Sequence, residues 1–371
     1  MGQELKPLKI GIIRTSSIGD VVLATASLDY IRQLDPMAEV VWVGRRPTLS
    51  LIEKSWPNVT VVDLPSNASS MAMNAVMDAL KQCRTVIDLQ TNHRSRWMVR
   101  RLKQAGVPVF SADKKGSFRL MLVLKSWIRG RLFRYRSTKS HLRDLQYQMM
   151  LDAVGSAIKS FGLGNPEAVT SAKPRLDVSS WSTQDSSWCR EMQFGRWLGV
   201  AAGASFPTKR APAEVLKDIL VELRRLWPTD QALPGIVFIG GPEDRQAAVE
   251  LMDETHWGGP VLNLAGKLSL DDTAIAISKT LGLLTNDSGL SHIAEALGKP
   301  VAVLFGPTVE EFGFAPHGPQ SAAYSSTLGC RPCSKHGKRS CRYGDKLCFS
   351  SIDTPAVARH LKSILLQGGL L

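Results

Sequence analysis

Short, nearly continuous apolar runs alternate with stretches of helical period from the start of the chain. The runs at 9–14, 40–44, 60–64, 85–89 and 107–110 read as strands, with amphipathic helices between most of them. Strands that are apolar on both faces and separated by helices predict a parallel sheet covered on each side. The pattern breaks after Phe110. A cation-rich stretch and then a less regular region follow, with Asn165-Pro166, Lys173-Pro174 and the Ser- and Trp-rich segment 179–188 marking a linker. A second series begins there, with strands at 197–202, 235–240, 261–264, 281–285 and 300–304 and a last apolar helix at 354–366. The pattern therefore predicts an α/β protein of two Rossmann-like, doubly wound domains facing a cleft. The domains are placed at 1–178 and 179–352, with the C-terminal helix in 353–371 expected to pack back on the first. In this class ligands bind beyond the carboxyl ends of the strands.

The 371 residues suit two domains, and 44% hydrophobic residues are ample for two cores. No apolar stretch reaches 18 residues, so a secreted or membrane-spanning chain is not expected and a reducing cytoplasm is. The formal charge of +13 is concentrated: from Arg94 to Arg143 there are fifteen Lys or Arg and one acid, Asp113. That stretch interleaves Trp97, Phe118, Trp127, Phe133 and Tyr135. A solvated face, a nucleic-acid surface and an interfacial segment on an anionic leaflet are all readings of it.

The first strand runs into Arg14-Thr15-Ser16-Ser17-Ile18-Gly19-Asp20 and then a helix. Asp20 at the helix start suits a cap, and equally a general base at the mouth of the first domain, taking a proton from a hydroxyl. The glycine spacing does not fit a dinucleotide fingerprint, which disfavours hydride transfer.

Two loops of the second series suit an anion. Gly203-Ala204-Ser205-Phe206-Pro207-Thr208-Lys209-Arg210 offers close backbone approach, hydroxyls and cations. Thr285-Asn286-Asp287-Ser288-Gly289-Leu290-Ser291-His292 ends a strand and opens a helix whose N–H groups and dipole suit a diphosphate. Gly240-Gly241-Pro242-Glu243 and Ala265-Gly266-Lys267-Leu268 also follow strands.

Taken together, the segments RTSSIGDVV (14–22), GASFPTKR (203–210), KLSL (267–270), NDSGLSHIAEAL (286–297) and FGPT (305–308) resemble glycosyltransferase family nine. These are the ADP-heptose:lipopolysaccharide heptosyltransferases, and the segments keep the family's order over nearly the whole chain. The resemblance implies a GT-B fold, an inverting mechanism and an ADP-sugar donor. By position it makes Asp20 the base and Lys209 the phosphate-binding lysine. Donor binding falls to Gly203, Ser205, Thr208, Asp287, Ser288, Gly289, Leu290 and His292, with Leu268 against the adenine and Glu243 toward the ribose. Ser288 stands where the family often has threonine. Ser17, Arg94 and Arg96 are assigned to a phosphorylated, lipid-linked oligosaccharide acceptor at the inner-membrane surface. The chain is thus expected to be cytoplasmic and peripheral, and not a partner of nucleic acid. The alternatives are another nucleotide sugar on the same fold, and a nucleic-acid-binding protein using the basic stretch.

No Asp-x-Asp motif occurs, so no cofactor is expected for catalysis. Cys330, Cys333, Cys341 and Cys348 lie close together in sequence among cations, where a structural zinc, free thiols or disulfides all have to be considered.

Overall fold

The computed structural model describes residues 8–113, 116–132, 146–161, 169, 171–183, 187–337 and 340–367. Contacts divide the chain into two compact units: Met1–Lys114 with Gln146–Ser180, and Lys115–Leu145 with Trp181–Leu371. The boundary therefore differs from a simple cut after residue 178. The cation-rich helix Gly116–Leu132 belongs with the second unit, because its buried side chains pack there.

In the first unit the strands β1 (Lys9–Ile13), β2 (Glu39–Gly44), β3 (Val59–Asp63), β4 (Thr85–Asp88) and β5 (Val109–Ser111) form one parallel sheet, ordered β3-β2-β1-β4-β5. Alternation along each strand builds two cores. Ile10, Ile12, Val40 and Trp42 meet Leu28, Met150 and Val154 on one face, while Ile13, Val41 and Val43 meet Val76, Leu80 and Leu102 on the other.

In the second unit β6 (Trp197–Ala201), β7 (Gly235–Phe238), β8 (Val261–Asn263), β9 (Gly282–Asn286), β10 (Val301–Phe305) and β11 (Ala322–Ser325) are also all parallel, ordered β11-β10-β9-β6-β7-β8. Counted from its own first strand, this is the order of the first sheet with one strand added beyond β10. Each unit therefore has its topological switch point beside its first strand: between β1 and β4, and between β6 and β9.

The helix Thr354–Gln367 corrects an expectation. It lies against the helix Ala213–Leu226 and places Val357, Leu361 and Ile364 in the same core as Leu216, Ile219, Leu220 and Leu223, so it is an integral layer of the second unit. Its buried apolar row finds that partner directly. Truncating Leu361 to Ala would cost about 3 kcal/mol.

Candidate active site

At the switch point of the first unit, β1 is followed directly by Arg14, whose side chain is buried and donates through Nη1 to the Leu89 carbonyl after β4. Its Nη2 lies 2.5 Å from Asp20 Oδ1. The other oxygen of Asp20 accepts from Ser17 N at 3.2 Å and Ser17 Oγ at 2.9 Å. Ser17 is the N-cap of the helix Ile18–Ala24, and Asp20 sits three residues in. The capping role is thus present, shared between Ser17 and Asp20, and a buried guanidinium holds the carboxylate in place. Gln90, in the loop after β4, accepts from Thr15 N at 2.9 Å and Ser16 N at 3.3 Å and so fixes the backbone between strand and helix. Neither Arg14 nor Gln90 stood out as a site residue in the sequence. A cation directly before the small-residue loop was the available signal for the first; the second is 75 residues away.

Arg94 and Arg96 sit on the helix His93–Gln104. The Arg94 guanidinium donates to the Pro65 and Ser66 carbonyls at 2.7 and 3.2 Å, while Arg96 is exposed. An open groove of about 610 Å³ is lined by Ser69, Ser70, Asn74, His93, Arg94 and Trp97. Phe133, Tyr135 and the cations from Arg134 to Arg143 lie outside the described residues.

At the switch point of the second unit, loops from neighbouring strands are tied together. The buried Asn286 donates to the Ala202 carbonyl at 2.6 Å and accepts from Ala211 N at 3.1 Å, joining the end of β9 to the loop after β6. Lys209 Nζ lies 2.6 Å from Asp287 Oδ2, which also accepts from Thr308 Oγ1 at 2.6 Å. Asp287 is buried, so its carboxylate anchors the lysine more directly than it could meet an anion. Ser288 caps the helix Gly289–Ala296 by backbone conformation and makes no side-chain cap bond. That leaves the N–H groups of Gly289 and Leu290 at a helix start, where intrahelical acceptors are lacking. His292, expected to bind donor, is buried with its ring 6.0 Å from that of Phe314.

The remaining loops rim the same sheet edge. Gly203 abuts Asp244, whose carboxylate a Cβ at 203 would meet at 2.0 Å, so any larger residue there would have to displace it. Burial pushes the Asp244 carboxyl above its ordinary range, opposed by the Gly241 N–H at 2.9 Å. Glu243 is half-exposed and lies 3.5 Å from Arg210, Ser205 is exposed, and Leu268 is half-buried.

The cysteine loop buttresses this edge from beneath. Arg331, buried, donates to the carbonyls of Phe305, Gly306, Ser326 and Thr308. Cys333 N donates to the Pro307 carbonyl, Thr208 Oγ1 to that of Gly337, and Lys346 Nζ to those of Pro207 and Arg210. Cys330, Cys333, Cys341 and Cys348 line one cavity of about 120 Å³ together with Trp127. Hydrogen bonding with Cys330, followed by burial, pushes the Cys333 thiol up, and burial pushes Cys348 up to about 11. Among the described residues no three His, Cys, Asp or Glu side chains are spaced to hold a metal ion.

Two doubly wound units of matching strand order, one presenting an oriented carboxylate at its switch point and the other a lysine beside a helix start, define a protein of the GT-B glycosyltransferase class. The sequence profile of "Glycosyltransferase family 9 (heptosyltransferase)" matches residues 73–343, and the chain belongs to that family. It is 31% identical to lipopolysaccharide heptosyltransferase 2 of Escherichia coli over 152 residues, 38% of this chain and 39% of that protein. That alignment covers less than two thirds of the relative's length. With the lipopolysaccharide core heptosyltransferase OpsX of Haemophilus influenzae the identity is 23% over 302 residues, 81% of this chain and 79% of that one. The solved E. coli ADP-heptose lipopolysaccharide heptosyltransferase II superposes with a TM-score of 0.66 at 20% identity, over 98% of this chain and 100% of that chain.

Proposed function

We propose that the protein is an inverting glycosyltransferase that moves heptose from ADP-heptose onto a phosphorylated, lipid-linked lipopolysaccharide core acceptor, working as a peripheral protein at the cytoplasmic face of the inner membrane. The observation that carries this reading is the pairing of roles at the two switch points: an oriented carboxylate at one, a lysine and a helix start at the other. The donor and acceptor are those in the names of the relatives, and membership of the family supports them.

In this reading Asp20 takes the proton from an acceptor hydroxyl as its oxygen bonds to the anomeric carbon. The bond from that carbon to the β-phosphate oxygen breaks, and its electron pair leaves with ADP. Lys209 and the N–H groups at Gly289 and Leu290 absorb the charge that develops on the diphosphate. Asp287 and Thr308 hold Lys209 where it is needed. Gly203, Ser205, Thr208, Leu268 and Glu243 contact the nucleotide, and Ser17, Arg94 and Arg96 serve the acceptor. Catalysis takes no cofactor, and nucleic acid is not a partner.

A thermal-shift panel of ADP, UDP, GDP and CDP, followed by transfer from ADP-heptose to a truncated core acceptor with product mass as readout, tests the proposal. Stabilisation by ADP and a heptose mass increment are expected. Stabilisation by UDP alone, with transfer from a UDP-sugar, would replace the donor.

A further inference from the structure

The helix Gly116–Leu132 carries two faces with opposite fates. One is docked within the second unit. Val123 packs with Val309 and Phe312, and the buried Arg119 donates to the Phe312 carbonyl at 2.7 Å while lying over the rings of Phe312 and Phe314. Ser126 Oγ donates to the Pro332 carbonyl at 2.5 Å and Trp127 Nε1 to that of Cys333 at 3.2 Å. These contacts fix the rotation of the helix about its axis. The other face presents Leu120, Met121, Leu124 and Ile128, which are between 40% and 64% exposed. Their spacing places them in one stripe about 100° wide.

We propose that this stripe seats in the interfacial region of an anionic phospholipid leaflet, with the helix lying in the membrane plane. The inference rests on the reading of the acceptor as lipid-linked, and it names the surface by which the protein reaches that acceptor. Charge complementarity selects the occupant. No acidic side chain occurs between Asp113 and Asp144, while Lys125 flanks the stripe and further Lys and Arg precede and follow it. Each cation near an anionic surface adds to the attraction. A nucleic acid would call for rings facing outward to stack on bases, yet the outward row is aliphatic and Trp127 is turned to the Cys333 carbonyl. A second copy of the chain would bring like charge against like.

The test is co-sedimentation of the full chain with phosphatidylglycerol-containing vesicles and with pure phosphatidylcholine vesicles, for the wild type and for a combined Leu120→Ser, Leu124→Ser, Ile128→Ser variant. The wild type should partition onto anionic vesicles in a salt-sensitive way. The variant should bind at least about tenfold more weakly, with its melting temperature, its stabilisation by ADP and its transfer to a water-soluble acceptor unchanged. Equal binding by wild type and variant overturns the proposal, as does wild type that ignores anionic vesicles. So does a dimer in sedimentation velocity that the substitutions dissolve, or RNA binding that they abolish. Vesicle binding as expected with no heptose transfer would sink the activity and leave the docking surface standing. Transfer without vesicle binding would do the reverse.

Discussion

The ammonium of Lys209 lies 2.6 Å from the buried carboxylate of Asp287, and the two residues belong to loops that follow β6 and β9 on either side of the second switch point. The pair holds a cation at the sheet edge with its orientation set before any ligand arrives. Lys209→Ala should therefore lower ADP affinity by about tenfold or more, the usual worth of a hydrogen bond to a charged group. Asp287→Asn should lower it less, by loosening the lysine. In the double variant the losses should be smaller than the sum, because residues in contact couple. Calorimetric titration with ADP across the four proteins reads the coupling directly, and strictly additive losses would mean that Asp287 does not act through Lys209.

Asp20 has a structural task as well as the proposed chemical one, and two substitutions separate them. Asp20→Ala leaves the buried Arg14 guanidinium without its carboxylate and should destabilise the fold by about 3 kcal/mol. Asp20→Asn keeps an oxygen for Arg14 or Ser17 and should melt much closer to the wild type. Both should lose turnover by about a thousandfold, within the range of a general base, with ADP affinity within a few-fold. Asn at this position with ordinary turnover would remove Asp20 from the chemistry and leave it a cap.

The strands were legible because parallel sheets bury both faces and print as apolar runs. The miss was β11, a short edge strand whose four residues are only half-buried and mostly small. The candidate loops were legible because strand-end loops in this architecture are where ligands bind, and their residue types are unusual. The partners that set their geometry were not. Gln90 reaches Thr15 and Ser16 across 75 residues, and Arg331 supports the end of β10 from a loop that reads locally only as cysteine-rich. The helix Gly116–Leu132 misled for a similar reason. Its composition announces cations, while its place in the second unit is encoded by Phe312, Phe314 and Pro332, 193 to 206 residues further on.

Charge on the leaving diphosphate is assigned to Lys209 and a helix start, so transfer from ADP-heptose should run at the same rate in excess EDTA as in excess magnesium. Metal analysis of the same protein, purified without chelator, reports separately on the cysteine cavity. A rate that falls in EDTA with an unchanged melting temperature would place a metal in the reaction. A rate and melting temperature that fall together would place it in the loop that supports Lys209, whose alkyl chain a Cβ at Gly337 would meet at 2.5 Å.

Glu295 lies in the last turn of the helix that begins at the donor loop, and it gives the fold an acid limit. Its Oε1 accepts from His317 N at 2.8 Å and Gly318 N at 2.7 Å, and Oε2 lies 3.0 Å from His317 Nδ1. Burial pushes this carboxyl up, but the hydrogen bonds and the charge of His317 outweigh it, and the net direction is below the ordinary value of 4.5. A carboxylate depressed on folding contributes stability that is fully present above its unfolded value and is lost as pH falls through the folded one. The melting temperature should therefore hold on the alkaline side of 4.5 as far as this group is concerned, and fall below it. His317→Ala removes the ring and its charge but keeps the backbone donor, so burial counts for more and the carboxyl moves up. The variant should melt lower at neutral pH, and its acid decline should begin at higher pH than in the wild type. Melting curves of the two proteins from neutral to acid pH decide the matter: profiles that differ only by a constant offset would show that His317 does not set the Glu295 proton.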